Sequence, residues 1–263
     1  MNPYFYRNVS EQGKPCLNEK GTFMICQIPL EEFLIIDIET VSEKKEYREL
    51  NPEWQLLWDE KTRWSRPDDS DAEAFYPQRA GVMAEFAKVI CICIGFFHRH
   101  NGETHFRVKA IAANDEKTVL QQFIDTVAQF GSRQKKWRFA GHNIREFDIP
   151  FLCRRMLINS IALPSFLDFQ NLKPWENNLV DTFQLWRFGD YKQFTSLKLL
   201  AAALGVPSPK DDIDGSQVGQ VYWEEGNLER IALYCRKDVA TVANILLRFR
   251  NESLLETQRL VFV

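Results

Sequence analysis

Apolar residues fall into two kinds of run along this chain. Phe33 to Asp37 (FLIID) and Val89 to Phe97 (VICICIGFF) are short, continuous and rich in β-branched residues, which predicts buried strands. Asn101-Gly102 separates the second run from Thr104 to Ile111, the pattern of a hairpin. Trp137 to Gly141 and Leu179 to Phe183 read as further short strands. Elsewhere the apolar positions recur every three or four residues. Val119, Leu120, Phe123, Val127 and Phe130 predict a helix over 116–130, and Ile149, Leu152, Cys153, Met156 and Leu157 predict one over 148–158. Thr195 opens another that Gly205 and Pro207 close. Asn227 caps a last long helix, from Leu228 to about Arg250, with Ile231, Cys235, Val239, Val242 and Leu246 in its stripe.

Strands first, then helices alternating with strands, predict an α/β domain with a mixed sheet flanked by helices. Residues 1–30 are polar and aromatic with little period and read as an extension. Residues 43–88 read as a mostly helical insertion after the first strand, with Leu50, Trp54, Leu57 and Trp58 at helical spacing and a loop-like RPDDSDAEAF. Its tryptophans are expected to pack its helix on the domain. The domain spans 31–250, and 251–263 is expected as a C-terminal tail.

Composition changes this picture little. With 45% hydrophobic and 26% charged residues in 263, the chain is ordinary globular material with enough length for a full core. The longest apolar run is half the length of a membrane span, and MNPYFYRNVSEQGK has no secretory pattern, so the expectation is a cytoplasmic protein with no membrane partner and with reduced thiols. Six cysteines include no CxxC pair, which makes zinc and disulfide readings weak. A net charge of -3 repels a polyanion overall, so a nucleic acid must be held locally. Arg133 to Arg138 (RQKKWR) and Arg154-Arg155 are the cationic clusters, each read first as a solvated face.

Acidic residues carry the chemistry. Asp37 and Glu39 are i and i+2 at the end of the first strand, so both carboxylates face one side and suit a shared divalent cation. About one such D-x-E is expected by chance, and Asp71-Ala-Glu73 is a second, set in a polar stretch. Asp148 opens a helix with Pro150 in its first turn, where an N-cap and a ligand for a water-bridged cation are compatible roles. Tyr234 and Asp238 are i and i+4 on the last helix, flanking its buried stripe, and of seven tyrosines only Tyr234 has Asp four residues on. Each feature has a plain structural reading: a strand-end acid facing water, a cap, a half-buried tyrosine beside a surface acid. KDDIDG at 210–215 fails as a calcium loop because Lys210 and Val221 would occupy ligand positions, and it reads as an acidic turn. Asp181 has two readings, a place near the acidic site and, more simply, a strand-end acid, and His98, His100 and His105 read as surface residues flanking the hairpin.

FLIIDIET, GHNIREFDIPFLCRR and YCRKDVATV, in that order, resemble the three exonuclease motifs of the DEDD superfamily of 3′-to-5′ exonucleases. Asn143 to Asp148 with the following Pro-Phe-Leu is similar to the proofreading exonuclease domain of B-family DNA polymerases, whose stand-alone bacterial relatives have this length. Leu233 stands where the histidine branch places His, and Tyr234 where the tyrosine branch (DEDDy) places Tyr. The resemblance covers about residues 31–250.

It implies a ribonuclease H-like fold and a metal-dependent 3′-to-5′ exonuclease acting on single-stranded nucleic acid, DNA favoured. It further implies that Asp37, Glu39 and Asp238 bind one cation, that Asp37 bridges to a second, and that Asp148 holds the second directly or through water. Carboxylates without His or Cys suit two Mg²⁺ or Mn²⁺ ions. Tyr234 is a poor base at neutral pH and is expected to orient the attacking water. Thr40, Asn143 and Phe147 are implied to line the cleft, with Phe147 either stacking on a base or packing in the core. The alternatives are a catalytically idle ribonuclease H-like nucleic-acid-binding module and an exoribonuclease. Since 25 residues follow Asp238, no polymerase is expected in the chain, and a polymerase or repair partner would act in trans.

Overall fold

The structure, a computed structural model, describes residues 24–169, 172, 179–207 and 213–263. Its centre is a sheet of six strands among those residues: β1 (Phe33–Ser42), β2 (Ala87–His100), β3 (Glu103–Ala112), β4 (Arg138–Gly141), β5 (Val180–Asp181) and β6 (Leu260–Phe262). The spatial order is β5-β4-β1-β2-β3-β6. Only β2 runs against the others: it is antiparallel to β1 and β3, while β1–β4, β4–β5 and β3–β6 are parallel. A five-strand run of this order with its second strand reversed is the ribonuclease H-like sheet.

Alternate residues of each strand face opposite layers. Leu34, Ile36 and Ile38 of β1 pack with α3 (Glu116–Arg133) and α4 (Asp148–Ile158), in a layer that includes Phe123, Leu152 and Met156. Phe33 and Ile35 pack on the other side with α8 (Leu228–Phe249), through Cys235, Val239 and Val242. Gly95 of β2 sets how near α8 comes. A Cβ there would stand 2.4 Å from the Phe106 ring and 2.7 Å from Val239, so only hydrogen fits between sheet and helix. The C-terminal half of α8 is buried on nearly every side, because α6 (Leu197–Ala203) and the segment after Arg250 cover what would be its polar face.

Several expectations shift at boundaries. Leu179–Phe183 contributes only a two-residue strand, since Asp181 accepts the Phe183 N–H (3.0 Å) and so caps α5 (Thr182–Arg187). The helix expected from Thr195 begins at Leu197, with the Ser196 hydroxyl as its cap. Ile25, Ile28 and Leu30, in the expected extension, are core residues. The Arg250 guanidinium anchors them by donating to the Ile25 and Ile28 carbonyls (2.7 and 2.6 Å), a contact between residues too far apart for any local pattern. Within the expected tail, Leu260–Phe262 forms the edge strand β6 beside Phe106–Val108.

Between β1 and β2, α1 (Pro52–Thr62) and α2 (Ala72–Arg79) build a small core of their own. Trp58 is buried there, edge-on to Tyr76 and Phe86 at 5.1 Å each. The tryptophans therefore divide: Trp58 packs inside the insertion, Trp54 lies against Phe86, and Trp64 is 92% exposed. The expected loop RPDDSDAEAF instead gives way to α2 at Ala72, because Asp71 caps it through the Ala74 N–H (2.7 Å). Arg155 contradicts its reading as a solvated cation. It is buried and donates to both Glu116 oxygens (2.8 and 2.5 Å), to the Ala84 carbonyl (2.9 Å) and to Glu43 (3.2 Å), which ties α3, α4 and the insertion together.

Overpacking at the α8–sheet contact is expected to be costly. Gly95→Ala should destabilise the protein by about 1–3 kcal/mol in urea unfolding, since the buried Phe106 ring has no room to yield. A change below about 0.5 kcal/mol would mean that α8 is not held at this distance.

Candidate active site

β1 outlasts its neighbour. Its pairing with β4 stops at Ile35–Ala140, so the β1 edge beyond that point lacks a strand partner on that side. Asp148, at the start of α4, fills the gap: its Oδ1 accepts the Ile38 N–H at 3.1 Å. The expected N-cap role is not what is found: Phe147 holds the cap position without a side-chain hydrogen bond, and Asp148, the first residue of the helix, turns its carboxylate to the open strand instead. On the other side β1 and β2 change register between Glu39 and Thr40, so that Glu39 faces Cys91 but Thr40 faces Val89. Such a bulge re-aims side chains, and it sits where the acidic pair ends.

The sheet face toward α8 collects the charges. Asp37 and Glu39 project from β1 toward the helix that carries Tyr234 and Asp238. Burial and the charges of Asp148 and Asp238 push Asp37 well above the usual carboxylate range. Burial, Asp37 and Asp238 do the same to Glu39. Asp148 rises to about 7, chiefly through burial, with its backbone hydrogen bonds opposing. Tyr234 rises well above an ordinary phenol through burial and then Asp238, to which it is hydrogen-bonded. It is therefore a neutral donor across the physiological range. The Cys235 sulfur lies 3.3 Å from Asp37 Oδ2 and 3.4 Å from the Asp37 carbonyl, beneath the carboxylates.

A groove of about 750 Å³ opens beside this cluster, between the end of β1, the insertion and the segment from Gly215 through α7 (Val218–Gln220) to the π-helical turn Val221–Glu225. Glu39, Thr40, Phe147, Lys45, Arg79 and Trp223 are on its walls. Thr40 spends its hydroxyl on the Gly81 carbonyl (2.6 Å) and so holds the insertion to β1. Phe147 is half-buried, 5.2 Å from Phe151, and lies on the groove wall. Asn143 is not on these walls. It shapes the loop after β4 with φ +63, while its N–H donates to Asp181 (2.8 Å) and its buried Oδ1 has no protein partner among the described residues.

The remaining sequence features resolve into structure. Asp181 accepts the N–H groups of Asn143, Arg145 and Phe183, a clamp that holds the loop leading to Asp148. Glu73 of the second D-x-E pairs with Arg48 at 2.6 Å. Arg138 pairs with Glu32 (3.1 Å) and Trp137 packs on Phe139, at the end of β4 opposite to Asp148. In KDDIDG, Lys210 to Asp212 lie outside the described residues, and Asp214 caps a short turn through the Ser216 N–H (2.9 Å). The histidines form a cross-strand group, His105 standing 5.6 and 5.5 Å from His98 and His100.

Sequence reasoning missed the other wall of the groove. The Trp223 indole N–H donates to the Ser42 hydroxyl (3.2 Å), and the Lys88 ammonium sits over Tyr222 and Trp223 while donating to the Tyr222 hydroxyl (3.0 Å). Only the aromatic pair in a polar stretch hinted at this. It also missed Cys235 as a neighbour of Asp37, although Cys at the stripe position next to Tyr234 was visible.

The raised acids have a consequence for cation-free protein. A carboxylate with a folded value of about 7 against 3.8 unfolded binds more protons when folded, so stability contributed by its protonated form is present below about 4 and is lost as pH rises toward about 7. Unfolding free energy of chelated protein should therefore fall across that window. Asp148→Asn should flatten the fall and leave the melting temperature at pH 8 unchanged or higher, by up to roughly 4 kcal/mol of stability. A clear drop in melting temperature would contradict this account.

Comparison with known proteins comes to a consistent result. A family model described as a predicted 3′-5′ exonuclease related to the exonuclease domain of PolB matches residues 82–258, a stretch that takes in Asp148, Tyr234 and Asp238 and begins after Asp37 and Glu39. No curated protein sequence matches the chain. Among solved structures, the family B DNA polymerase from the hyperthermophilic archaeon Pyrobaculum calidifontis aligns with 83% of this chain and 27% of its own, at 16% identity and a TM-score of 0.47. The chain thus spans about a quarter of that polymerase. Among the described residues no helix is long and apolar enough to cross a membrane. By the family match, the chain belongs to the predicted 3′-5′ exonucleases related to the exonuclease domain of PolB.

Proposed function

We propose that the protein is a metal-dependent 3′-to-5′ exonuclease of the tyrosine (DEDDy) branch, hydrolysing phosphodiester bonds at the 3′ ends of single-stranded nucleic acid, with DNA favoured through its polymerase relatives. The observation that carries this reading is the convergence of Asp37, Glu39, Asp148, Tyr234 and Asp238 from β1, α4 and α8 onto one spot, where their charges perturb one another.

The donor set fits hard divalent cations. Asp37, Glu39 and Asp148 are raised by burial and by neighbouring acids, and all-oxygen ligation suits Mg²⁺ or Mn²⁺. Asp37, Glu39 and Asp238 would hold one ion, and Asp37 with Asp148 a second. When bound, such ions supply a nucleophile at neutral pH and relieve charge on the leaving 3′ oxygen.

The chain's own groups do the rest. Asp238 accepts from the Tyr234 hydroxyl and so fixes the phenol at the carboxylate cluster. As a neutral donor, Tyr234 orients the attacking water rather than deprotonating it. Asp148 keeps its place through hydrogen bonds from its own N–H and from the Ile38 N–H. Phe147 and Trp223 offer ring faces in the groove, where base stacking is tolerant of sequence, and Lys45 and Arg79 offer cations for phosphates. Thr40 contributes through its backbone and its hold on Gly81, and Asn143 through the loop that delivers Asp148. A polymerase or repair factor acting in trans would make the activity proofreading; free ends need no such partner.

The direct test is a gel time course with 5′-labelled single-stranded DNA and RNA of one sequence, in Mg²⁺, in Mn²⁺ and with chelator, beside Asp37→Ala protein. A ladder shortening from the 3′ end, absent with chelator and in the variant, is expected, with DNA degraded faster. Intact oligonucleotide in every lane, with binding retained, would make the protein an idle binding module; faster RNA loss would make it an exoribonuclease. In single-turnover kinetics Tyr234→Phe should lower the rate by about 10²-fold with little change in DNA affinity, whereas a loss confined to affinity would remove Tyr234 from the chemistry.

A further inference from the structure

Beneath the carboxylates lies a group of side chains that the nuclease reading does not use. Cys91 and Cys93 are i and i+2 on β2, so both project from one face, and their register partners on β1 are Glu39 and Asp37. Cys235 comes down on them from α8. All three are fully buried and free. Their sulfurs lie within 4.8 Å of one another, and Cys235 with Asp37 and Glu39 forms a second group of the same compactness. Three points so close share a centre no more than about 2.8 Å from each, against about 2.3 Å for a Zn–S bond, so adjustments of about 0.5 Å per side chain would close them on an ion. Cys235 belongs to both groups, and its thiol donates to Asp37 Oδ2 at 3.3 Å.

We infer that Cys91, Cys93 and Cys235 form a three-thiolate binding site for a soft divalent cation of the Zn²⁺ or Cd²⁺ kind, separate from the hard cations of the carboxylate cluster. Thiolates select soft ions, while Mg²⁺ and Mn²⁺ prefer oxygen, so the two sets of ligands sort cations by chemistry. Binding displaces thiol protons to solvent and requires no oxidant. Entry is by way of Asp37, which is half-buried and touches the Cys235 sulfur. Cys235 donates to Asp37 Oδ2, a hydrogen bond lost when its thiol gives up the proton to bind an ion, so a soft ion would displace Asp37 from the hard ones and stop cleavage. That inhibitory consequence rests on the nuclease reading, and the site itself does not.

The test uses the full chain, reduced and chelator-stripped, titrated with Cd²⁺ while the ultraviolet absorbance of Cd²⁺–thiolate charge transfer is followed. One Cd²⁺ per chain is expected, with affinity more than about tenfold weaker in Cys93→Ala and Cys91→Ala, since losing a ligand costs at least as much as losing a residue that only orients one. Cys93→Ser, closer in size, takes over if the alanine variant lacks a cooperative melt. No thiolate absorbance, or absorbance unchanged in the variants, overturns the site, as does a Cys235 disulfide found by mass spectrometry in the reduced preparation. With excess Mg²⁺ and single-stranded DNA, equimolar Cd²⁺ should stop the wild type and spare Cys93→Ala. Wild-type protein that cleaves nothing would sink the nuclease reading and leave the absorbance titration to decide the site.

Discussion

Like charges held in a shared, largely desolvated pocket are the constraint on which the rest of this structure depends. Asp37, Glu39 and Asp238 meet where the sheet touches α8, and burial plus repulsion from neighbouring carboxylates favours the protonated forms of Asp37 and Glu39. A fold keeps such an arrangement only if packing elsewhere overdetermines it. Here the close approach of α8 over Gly95, with Val239 seated one residue beyond Asp238, fixes the helix against the strand that carries the other acids. The same packing sets Cys235 under Asp37.

The loop that delivers Asp148 has its own anchoring. Asp181 ends the short β5 and takes three backbone N–H groups, two from the turn after β4 and one from α5. Asn143 adopts a left-handed conformation in that turn, which places the following residues so that α4 starts at Asp148. Farther along α4, Arg155 binds Glu116 of α3 in a buried, doubly hydrogen-bonded pair. Removing one partner of such a pair leaves a buried charge uncompensated, so the link acts as a strict positional constraint. It also reaches Glu43 and the Ala84 carbonyl, and so couples the placement of α4 to that of the insertion forming the far wall of the groove.

The insertion is stabilised locally and attached lightly. Trp58, Tyr76, Phe75 and Phe86 make a compact aromatic core, and the Thr40–Gly81 hydrogen bond and the Trp223–Ser42 contact join the two walls of the groove to the end of β1. The groove is thereby shaped by segments outside the central sheet, while Asp37 and Glu39 sit on a central strand and Tyr234 and Asp238 on α8.

Periodicity alone determined much of the fold. The strands at Phe33 and Val89, the hairpin at Asn101-Gly102, and the helices starting at Glu116, Asp148 and Leu228 were legible because apolar spacing and caps are local properties of the backbone. The residue types of the acidic cluster were legible too, since i, i+2 on a strand and i, i+4 on a helix assign faces without tertiary information. What the sequence could not supply was anything set by approach between distant segments. The burial of Arg155, the core role of Ile25 and Ile28, the edge strand at Leu260, the clamp at Asp181 and the stacking of three thiols against Asp37 depend on strand register and on the height of α8 above the sheet. Those contacts join residues far apart in the chain, and no pattern within one element encodes them.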